Sequence, residues 1–211
     1  PGRPDCILFR PYSYFRVPDE DTVSLLIRDV GKGTHALVGA PVGDPVEILG
    51  PLGNTFPMEG PAKVWAVAGG VGAAPFGMMP HHPNLTVLFG SRTSADAGFG
   101  RALEDAGVSV ELATDDGSAG FHGTTVELLR QKLEAGERPE GLFTCGPTPM
   151  MAAATTVAAE FEIPCWASLE ERMGCGIGIC RGCVQRDVDG NLICLCVDGP
   201  VYDARRIFPV N

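Results

Sequence analysis

The chain has 211 residues, 45% of them hydrophobic, and a formal net charge of −10, which is enough chain to bury a sizeable core. A pI near 4.8 provides no basic surface for a nucleic-acid backbone and excludes nucleic acid as a partner. No apolar run approaches the roughly 20 residues of a membrane span and no signal-peptide pattern opens the chain, so the sequence predicts a soluble, cytoplasmic protein.

Along the chain, the first 60 residues are expected to form part of a small antiparallel sheet or barrel. Thr22–Arg28 and Pro45–Leu49 are β-rich runs bounded by Gly and Pro, helical periodicity is absent, and Gly50-Pro51-Leu52-Gly53-Asn54 carries turn chemistry. From residue 61 to 167 the pattern changes. Val64–Ala68, Leu85–Phe89, Val108–Leu112 and Gly141–Cys145 are short apolar runs of the kind that fill buried parallel strands. Between them Thr124-x-x-Glu127 has capping-box spacing ahead of Leu128, Leu129 and Leu133, and the Ala-rich stretch from Met150 to Phe161 is a second helix candidate. Strand–helix alternation of this kind predicts a doubly wound α/β domain. Residues 168–211 are Gly- and Cys-rich, with too little apolar content for a core of their own, so a metal centre is the expected organiser.

Five of the eight cysteines (Cys175, Cys180, Cys183, Cys194 and Cys196) fall within 22 residues, while Cys6, Cys145 and Cys165 are scattered. Such clustering points to a cofactor site in a reducing compartment rather than a disulfide framework. The spacing C-x4-C-x2-C from Cys175 to Cys183, followed by another Cys, is that of plant-type 2Fe–2S ferredoxins. Gly174, Gly176, Gly178 and Gly182 would let the loop wrap a cluster closely with its N–H groups turned toward sulfur. Structural zinc is the competing assignment, although zinc sites present two short knuckles. Cys194 and Cys196 alternate with Leu195, and in a strand both would face the same way, so either can supply the fourth ligand.

Gly69-Gly70-Val71-Gly72-Ala73-Ala74-Pro75 follows a strand and precedes a helix candidate, a place where a pyrophosphate can lie on backbone N–H groups. Its spacing is not the Rossmann fingerprint, and an ordinary tight turn has the same composition. Thr144-Cys145-Gly146-Pro147 ends a strand, at the carboxyl edge where open α/β sheets bind ligands. With no His near it in sequence, Cys145 is expected to pack against a flat ring rather than act as a nucleophile. His81 and His82 read as an exposed pair, and His35 and His122 as isolated. Arg10-Pro11-Tyr12-Ser13 and Arg28-x4-Gly33-Thr34 could hold phosphates by an Arg fork and a Gly-Thr turn, or be solvated arginines and plain turns.

In order, the motifs Arg10-Pro11-x-Ser13, Arg28-x4-Gly33-Thr34, Gly50-Pro51-Leu52-Gly53-Asn54-x-Phe56, Gly69-Gly70-x-Gly72-x-x-Pro75, Ala113-Thr114-Asp115-Asp116-Gly117-Ser118, Thr144-Cys145-Gly146-Pro147, Glu171-Arg172-Met173-x-Cys175-Gly176-x-Gly178 and Cys196-x-Asp198-Gly199-Pro200 span nearly the whole chain. This set resembles the electron-transfer subunits of NAD-linked dihydroorotate dehydrogenase, type B, in the ferredoxin–NADP reductase superfamily. The resemblance implies FAD on the barrel, with Arg10, Pro11, Tyr12 and Ser13 along the flavin, Leu26, Ile27 and Arg28 flanking it, and Gly33 and Thr34 at the pyrophosphate. It implies a nicotinamide cofactor across Gly69, Gly70 and Gly72, its ring near Cys145 and Gly146, and a 2Fe–2S cluster on Cys175, Cys180, Cys183 and Cys196, Cys194 then being a buried bystander. The expected domains are an N-terminally shortened FAD-binding β-barrel (1–60), an NAD-binding α/β domain (61–167) and a 2Fe–2S domain (168–211).

The implied function is an oxidoreductase electron conduit. It would link NAD, FAD and 2Fe–2S to a catalytic FMN-containing partner subunit, in a heterotetramer that oxidises dihydroorotate in pyrimidine biosynthesis. The same conduit could serve a hydrogenase, a sulfur reductase or a glutamate-synthase-like subunit; a flavin-less redox-sensing module is a further alternative. Ser91 and Arg92, after the strand ending at Gly90, could lie near the adenosine ribose, where an Arg would favour a 2′-phosphate. Arg92 reads better as a solvated loop residue, and the resemblance favours NAD over NADP.

Overall fold

The computed structural model describes residues 8–57, 59, 62–79, 82 and 84–210. Cys6 and His81 lie outside the described residues, as do residues 60 and 61, where the first two expected regions meet.

An antiparallel pair comes first, β1 (Tyr14–Asp19) with β2 (Thr22–Leu25). A short helix follows, α1 (Lys32–Val38). The expectation of β-structure throughout the first 60 residues is corrected at two places. Lys32–Val38 is helical, a stretch too short and too exposed to announce itself by periodicity, since it buries no residue. Pro45–Leu49 forms no strand; Val46, Ile48 and Leu49 are exposed, and an apolar run becomes a strand only where a neighbour completes its ladder. Among the described residues, β1 and β2 are the strands of this region.

The centre is a mixed α/β body on a seven-stranded sheet. Its strands are β3 (Val64–Gly69), β4 (Leu85–Ser91), β5 (Ser109–Thr114), β6 (Phe121–His122), β7 (Gly141–Cys145), β8 (Cys165–Ser168) and, from the C-terminal segment, Val201–Asp203. The first six are parallel in the order β8-β7-β3-β4-β5-β6, and Val201–Asp203 closes the β8 edge antiparallel. Every residue of β3 is buried, as a strand covered on both faces requires. Trp65 and Val67 face one core layer with Leu128, Leu129 and Leu133, while Val64, Ala66 and Ala68 face another with Phe76, Phe89 and Leu103.

The helices α2 (Gly98–Asp105), α3 (Thr125–Glu134) and α4 (Thr148–Glu160) cover the two faces. Thr124 caps α3 through the expected box, accepting from the Glu127 N–H while Glu127 accepts from the Thr124 N–H. Gly70–Met78 is a 3-10 run; Phe15 lies directly against Gly77 and so seats the N-terminal hairpin on it.

In the C-terminal segment β9 (Val184–Arg186) pairs with β10 (Leu192–Cys194). The chain then turns through α5 (Leu195–Asp198) into the edge strand β11 (Val201–Asp203). Cys194 and Cys196 are therefore not on one strand. Ile193, Leu195, Tyr202 and Phe208 join the apolar layer that carries Trp65 and Leu142: the segment borrows a core it could not build. Among the described residues, no helix is long and apolar enough to cross a membrane.

Candidate redox site

The sheet reverses direction at β3. From there the chain builds outward to β4 and β5 on one side and to β7 and β8 on the other. The crevice beyond the carboxyl ends of strands at such a switch point is the ligand site of open α/β sheets. Gly69-Gly70-x-Gly72 leaves β3 there and Cys145-Gly146-Pro147 leaves β7, with Ala68 in register with Cys145.

The glycines of the two loops are needed for each other. A Cβ on Gly72 would run into the Cys145 carbonyl, one on Gly69 would meet Met150 Sδ at 2.9 Å and Pro147 Cδ at 3.0 Å, and one on Gly146 would sit 3.0 Å from the Gly69 backbone. Gly70 is half-buried with φ +56°, and Arg28 Nη1 lies 3.9 Å from where its Cβ would be. The structure thus brings Gly69, Gly70, Gly72, Cys145, Gly146 and Arg28 together.

Cys145 is buried, and burial, then the Glu170 carboxylate, push its thiol up to about 12 against a hydrogen bond with Ser168. It stays neutral, as a packing residue should and a nucleophile could not. His82 is half-buried and its Nδ1 fully so, which corrects the reading of it as exposed. His35 pairs with Asp29 at 2.8 Å.

In the N-terminal region the Arg10 guanidinium lies against Gly33, in space any side chain at 33 would fill. The two phosphate-binding candidates are thereby neighbours. Thr34 Oγ1, by contrast, is engaged within its own loop, accepting from the N–H groups of Val30 and Gly31 at 2.9 and 3.0 Å. Pro11 and Ser13 are exposed; Tyr12, Leu26 and Ile27 are half-buried.

The cysteines converge on one end of the molecule. Cys183, Cys194 and Cys196 have their sulfurs within 4.8 Å of one another, all buried. Cys175 and Cys180 ride on the preceding loop, half-buried and exposed. Backbone N–H groups point at three sulfurs: Cys180 N–H to Cys175 Sγ at 3.4 Å, Gly182 N–H to Cys180 Sγ at 3.5 Å, and Gly178 N–H to Cys196 Sγ at 3.2 Å.

The N–H groups of Cys180 and Ile177 hold the Cys175 thiol down at about 6. At Cys183 burial opposes ionisation, but the Cys196 backbone and the thiols of Cys196 and Cys194 outweigh it and lower the pKa. Burial, then the thiols of Cys183 and Cys194, push Cys196 up to about 12 against the hydrogen bond from the Gly178 N–H.

Gly176 and Gly178 have φ of +73° and +83°, and a Cβ on Gly178 would lie 2.6 Å from Val197 Cγ2. Thiolate donors, N–H groups aimed at sulfur and a loop stripped of side chains fit an iron–sulfur cluster. The bond from Gly178 ties Cys196 to the loop of Cys175 and Cys180. The backbone N–H of Cys194 turns instead to Asp198 Oδ2 at 2.7 Å.

Sequence reasoning missed the tie between the Gly50–Asn54 turn and the cysteine segment. Asn54 N–H donates to the Gly199 carbonyl at 2.8 Å, and a Cβ on Gly53 (φ +76°) would meet that carbonyl oxygen at 2.6 Å. Both turns stood out in the sequence, but nothing in it pairs them.

Residues 170–208 match the family model described as the iron-sulfur cluster binding domain of dihydroorotate dehydrogenase B. The chain is similar to the dihydroorotate dehydrogenase B (NAD(+)) electron transfer subunit of Desulforamulus reducens, at 36% identity over 96% of this chain and 81% of that one. It is also similar to the probable counterpart in Methanocaldococcus jannaschii, at 38% identity over 85% and 69%. Among solved structures, it resembles a chain from the NADH-dependent reduced ferredoxin-NADP oxidoreductase studied for flavin-based electron bifurcation. That match has a TM-score of 0.77 and 30% identity over 87% of this chain and 68% of that one.

Proposed function

The chain belongs to the family of electron-transfer subunits of NAD-linked dihydroorotate dehydrogenase B, and from that premise we propose how its parts divide the work. It carries electrons between NAD and the FMN of a catalytic partner subunit that oxidises dihydroorotate, a cytoplasmic step of pyrimidine biosynthesis, in a heterotetramer with that partner. Residues 1–60 serve FAD as a shortened barrel, residues 61–167 serve NAD, and residues 168–211 form the 2Fe–2S domain.

Arg10, Pro11, Tyr12, Ser13, Leu26, Ile27, Arg28 and the Gly33-Thr34 turn hold the FAD. Arg10 and Gly33 offer a guanidinium and a bare backbone side by side, a combination suited to a diphosphate. Gly69, Gly70 and Gly72 let the NAD pyrophosphate approach the backbone, and the neutral Cys145 with Gly146 gives the nicotinamide a flat, small-residue floor. Cys175, Cys180, Cys183 and Cys196 hold the cluster. Bound FAD exchanges an electron pair with nicotinamide as hydride and single electrons with the cluster. The protein's own contribution is placement, and none of its side chains is needed as an acid or base.

The observation that carries this reading is the position of Arg28. It lies beside Gly70 at the switch point, which supports a single crevice serving both FAD and NAD. The test is co-expression with an FMN-containing dehydrogenase, followed by cofactor analysis and turnover. FAD, iron and sulfide bound to the chain, with dihydroorotate-dependent reduction of NAD, are expected. Zinc in place of iron, or no FAD even beside the partner, refutes it; full cofactors without dihydroorotate turnover assign the conduit to another flavoprotein.

A further inference from the structure

Cys194 is the one buried thiol of the C-terminal cluster for which the electron-transfer reading has no use. Its Sγ lies 3.7 Å from Cys183 Sγ and 3.8 Å from Cys196 Sγ, and its side chain is as buried as theirs. Its position is set by the ladder: Cys194 pairs with Val184 at the end of β10, next to Cys183, and the Leu195 N–H donates to the Cys183 carbonyl at 3.3 Å. The loop that carries Cys175 and Cys180 sends its Gly178 N–H to Cys196, whereas the N–H of Cys194 is turned to Asp198. Cys194 is thus held against two ligand sulfurs without being offered to the loop.

We propose that Cys194 is a tuning residue: its S–H donates a hydrogen bond to the thiolate of Cys183 or Cys196 and raises the reduction potential of the 2Fe–2S cluster. This rests on the assignment of Cys175, Cys180, Cys183 and Cys196 as the ligands. A thiol that binds no iron is a donor, and hydrogen bonds to ligand sulfur stabilise the extra negative charge of the reduced cluster. A second donor without a partner lies in the same apolar layer. Tyr202, 6% exposed, belongs to the apolar layer that holds Cys183, Cys194 and Cys196, and its buried hydroxyl has no hydrogen-bond partner among the described residues.

The experiment uses the full chain in complex with its catalytic partner, as wild type, Cys194→Ala, Cys194→Val and Cys194→Ser. Iron and acid-labile sulfide are counted, the reduced cluster is examined by electron paramagnetic resonance, and its potential is measured by equilibrium titration. The apolar variants are expected to keep full iron and sulfide while the reduced-to-oxidised ratio at a fixed potential falls about tenfold, equivalent to about 59 mV for one electron. Cys194→Ser, which keeps a donor and nearly the same shape, is expected to fall between them and the wild type, and it guards against a packing defect in the apolar pair.

An unchanged potential in a fully loaded apolar variant overturns the proposal. So does loss of iron in all three variants while Cys196→Ser keeps its cluster, since Cys194 is then a ligand. Zinc in the wild-type complex overturns the iron–sulfur reading on which the proposal rests, and shows in the metal count before any variant is compared.

Discussion

Asn54 and Val201 are 147 positions apart and bound to each other twice: the Val201 N–H donates to Asn54 Oδ1 at 2.8 Å, and Asn54 Nδ2 donates to the Val201 carbonyl at 2.8 Å. One side chain thus acts as a strand partner for the first residue of β11, on the edge that β8 leaves open. With the Asn54 N–H on Gly199, this fastens the turn that ends the N-terminal region to the turn that leaves the cysteine segment. In the proposed scheme these are the regions of two successive carriers, FAD and the cluster.

Replacing Asn54 by Ala leaves the buried Val201 backbone without either partner. The expected loss is about 1–3 kcal/mol, the usual cost of a stranded buried polar group, read as a lower urea midpoint. Asn54→Asp keeps the acceptor and loses the donor, so its midpoint should lie between the two. Equal stability of all three proteins would show that the tie carries no weight.

Gly72→Ala tests the loop contact at the switch point. A methyl group there collides with the Cys145 carbonyl, and forced repacking of this kind costs about 1–3 kcal/mol. NADH binding should weaken at least tenfold while iron content stays at the wild-type level, because the displaced loop carries none of the clustered cysteines. Undiminished NADH affinity, measured by flavin reduction under anaerobic conditions, would count against the nicotinamide assignment.

The parts of this architecture that were legible in the sequence are those decided locally. Val64–Ala68 and Leu85–Phe89 are continuous apolar runs because both faces of the sheet are covered, and Thr124 with Glu127 announces a helix within four residues. The spacing from Cys175 to Cys183 is likewise a local pattern, and in the structure backbone N–H groups point at the sulfurs of Cys175 and Cys180. Other features depend on partners far along the chain. β8, with only four residues, and β11, with three, are strands because they lie beside β7 and each other. Lys32–Val38 has no apolar face to display. Asn54 looked like an ordinary turn residue, since what it binds lies at the other end of the chain.

Alkaline stability follows from two buried thiols. Burial is the main cause that pushes both Cys145 and Cys165 up to about 12; Glu170 adds to it at the first, and Asp203 at the second, against hydrogen bonds with Ser168 and Thr155. In the unfolded chain a thiol ionises near 8.5. Each group's contribution is therefore complete below that pH and is lost as pH rises toward 12, because the unfolded state sheds the proton first. The expected slope is about 1.4 kcal/mol per pH unit for each thiol in that window. Urea unfolding under reducing conditions between pH 8 and 10.5 should show stability falling, with Cys165→Ala reducing the slope by about 1.4 kcal/mol per pH unit. A wild-type slope near zero would mean that the thiols are hydrated.

Removing the metal should separate what the sheet holds from what the cluster holds. Ile193, Leu195, Tyr202 and Phe208 pack into the main core, and β11 is hydrogen-bonded to β8; both persist without iron. The loop from Gly174 to Gly182 has no such support: Ile177, Ile179, Cys180 and Arg181 are exposed, and its N–H groups are directed at sulfur. Metal binding is where such a loop obtains its folding energy. Anaerobic chelation of iron should therefore leave far-ultraviolet circular dichroism nearly unchanged while trypsin cleavage at Arg172 and Arg181 speeds up at least tenfold; Arg101, on α2, should stay as resistant as before. If Arg172 and Arg181 are cut no faster after the iron is gone, the loop is ordered by the protein alone and the cluster is a passenger in it.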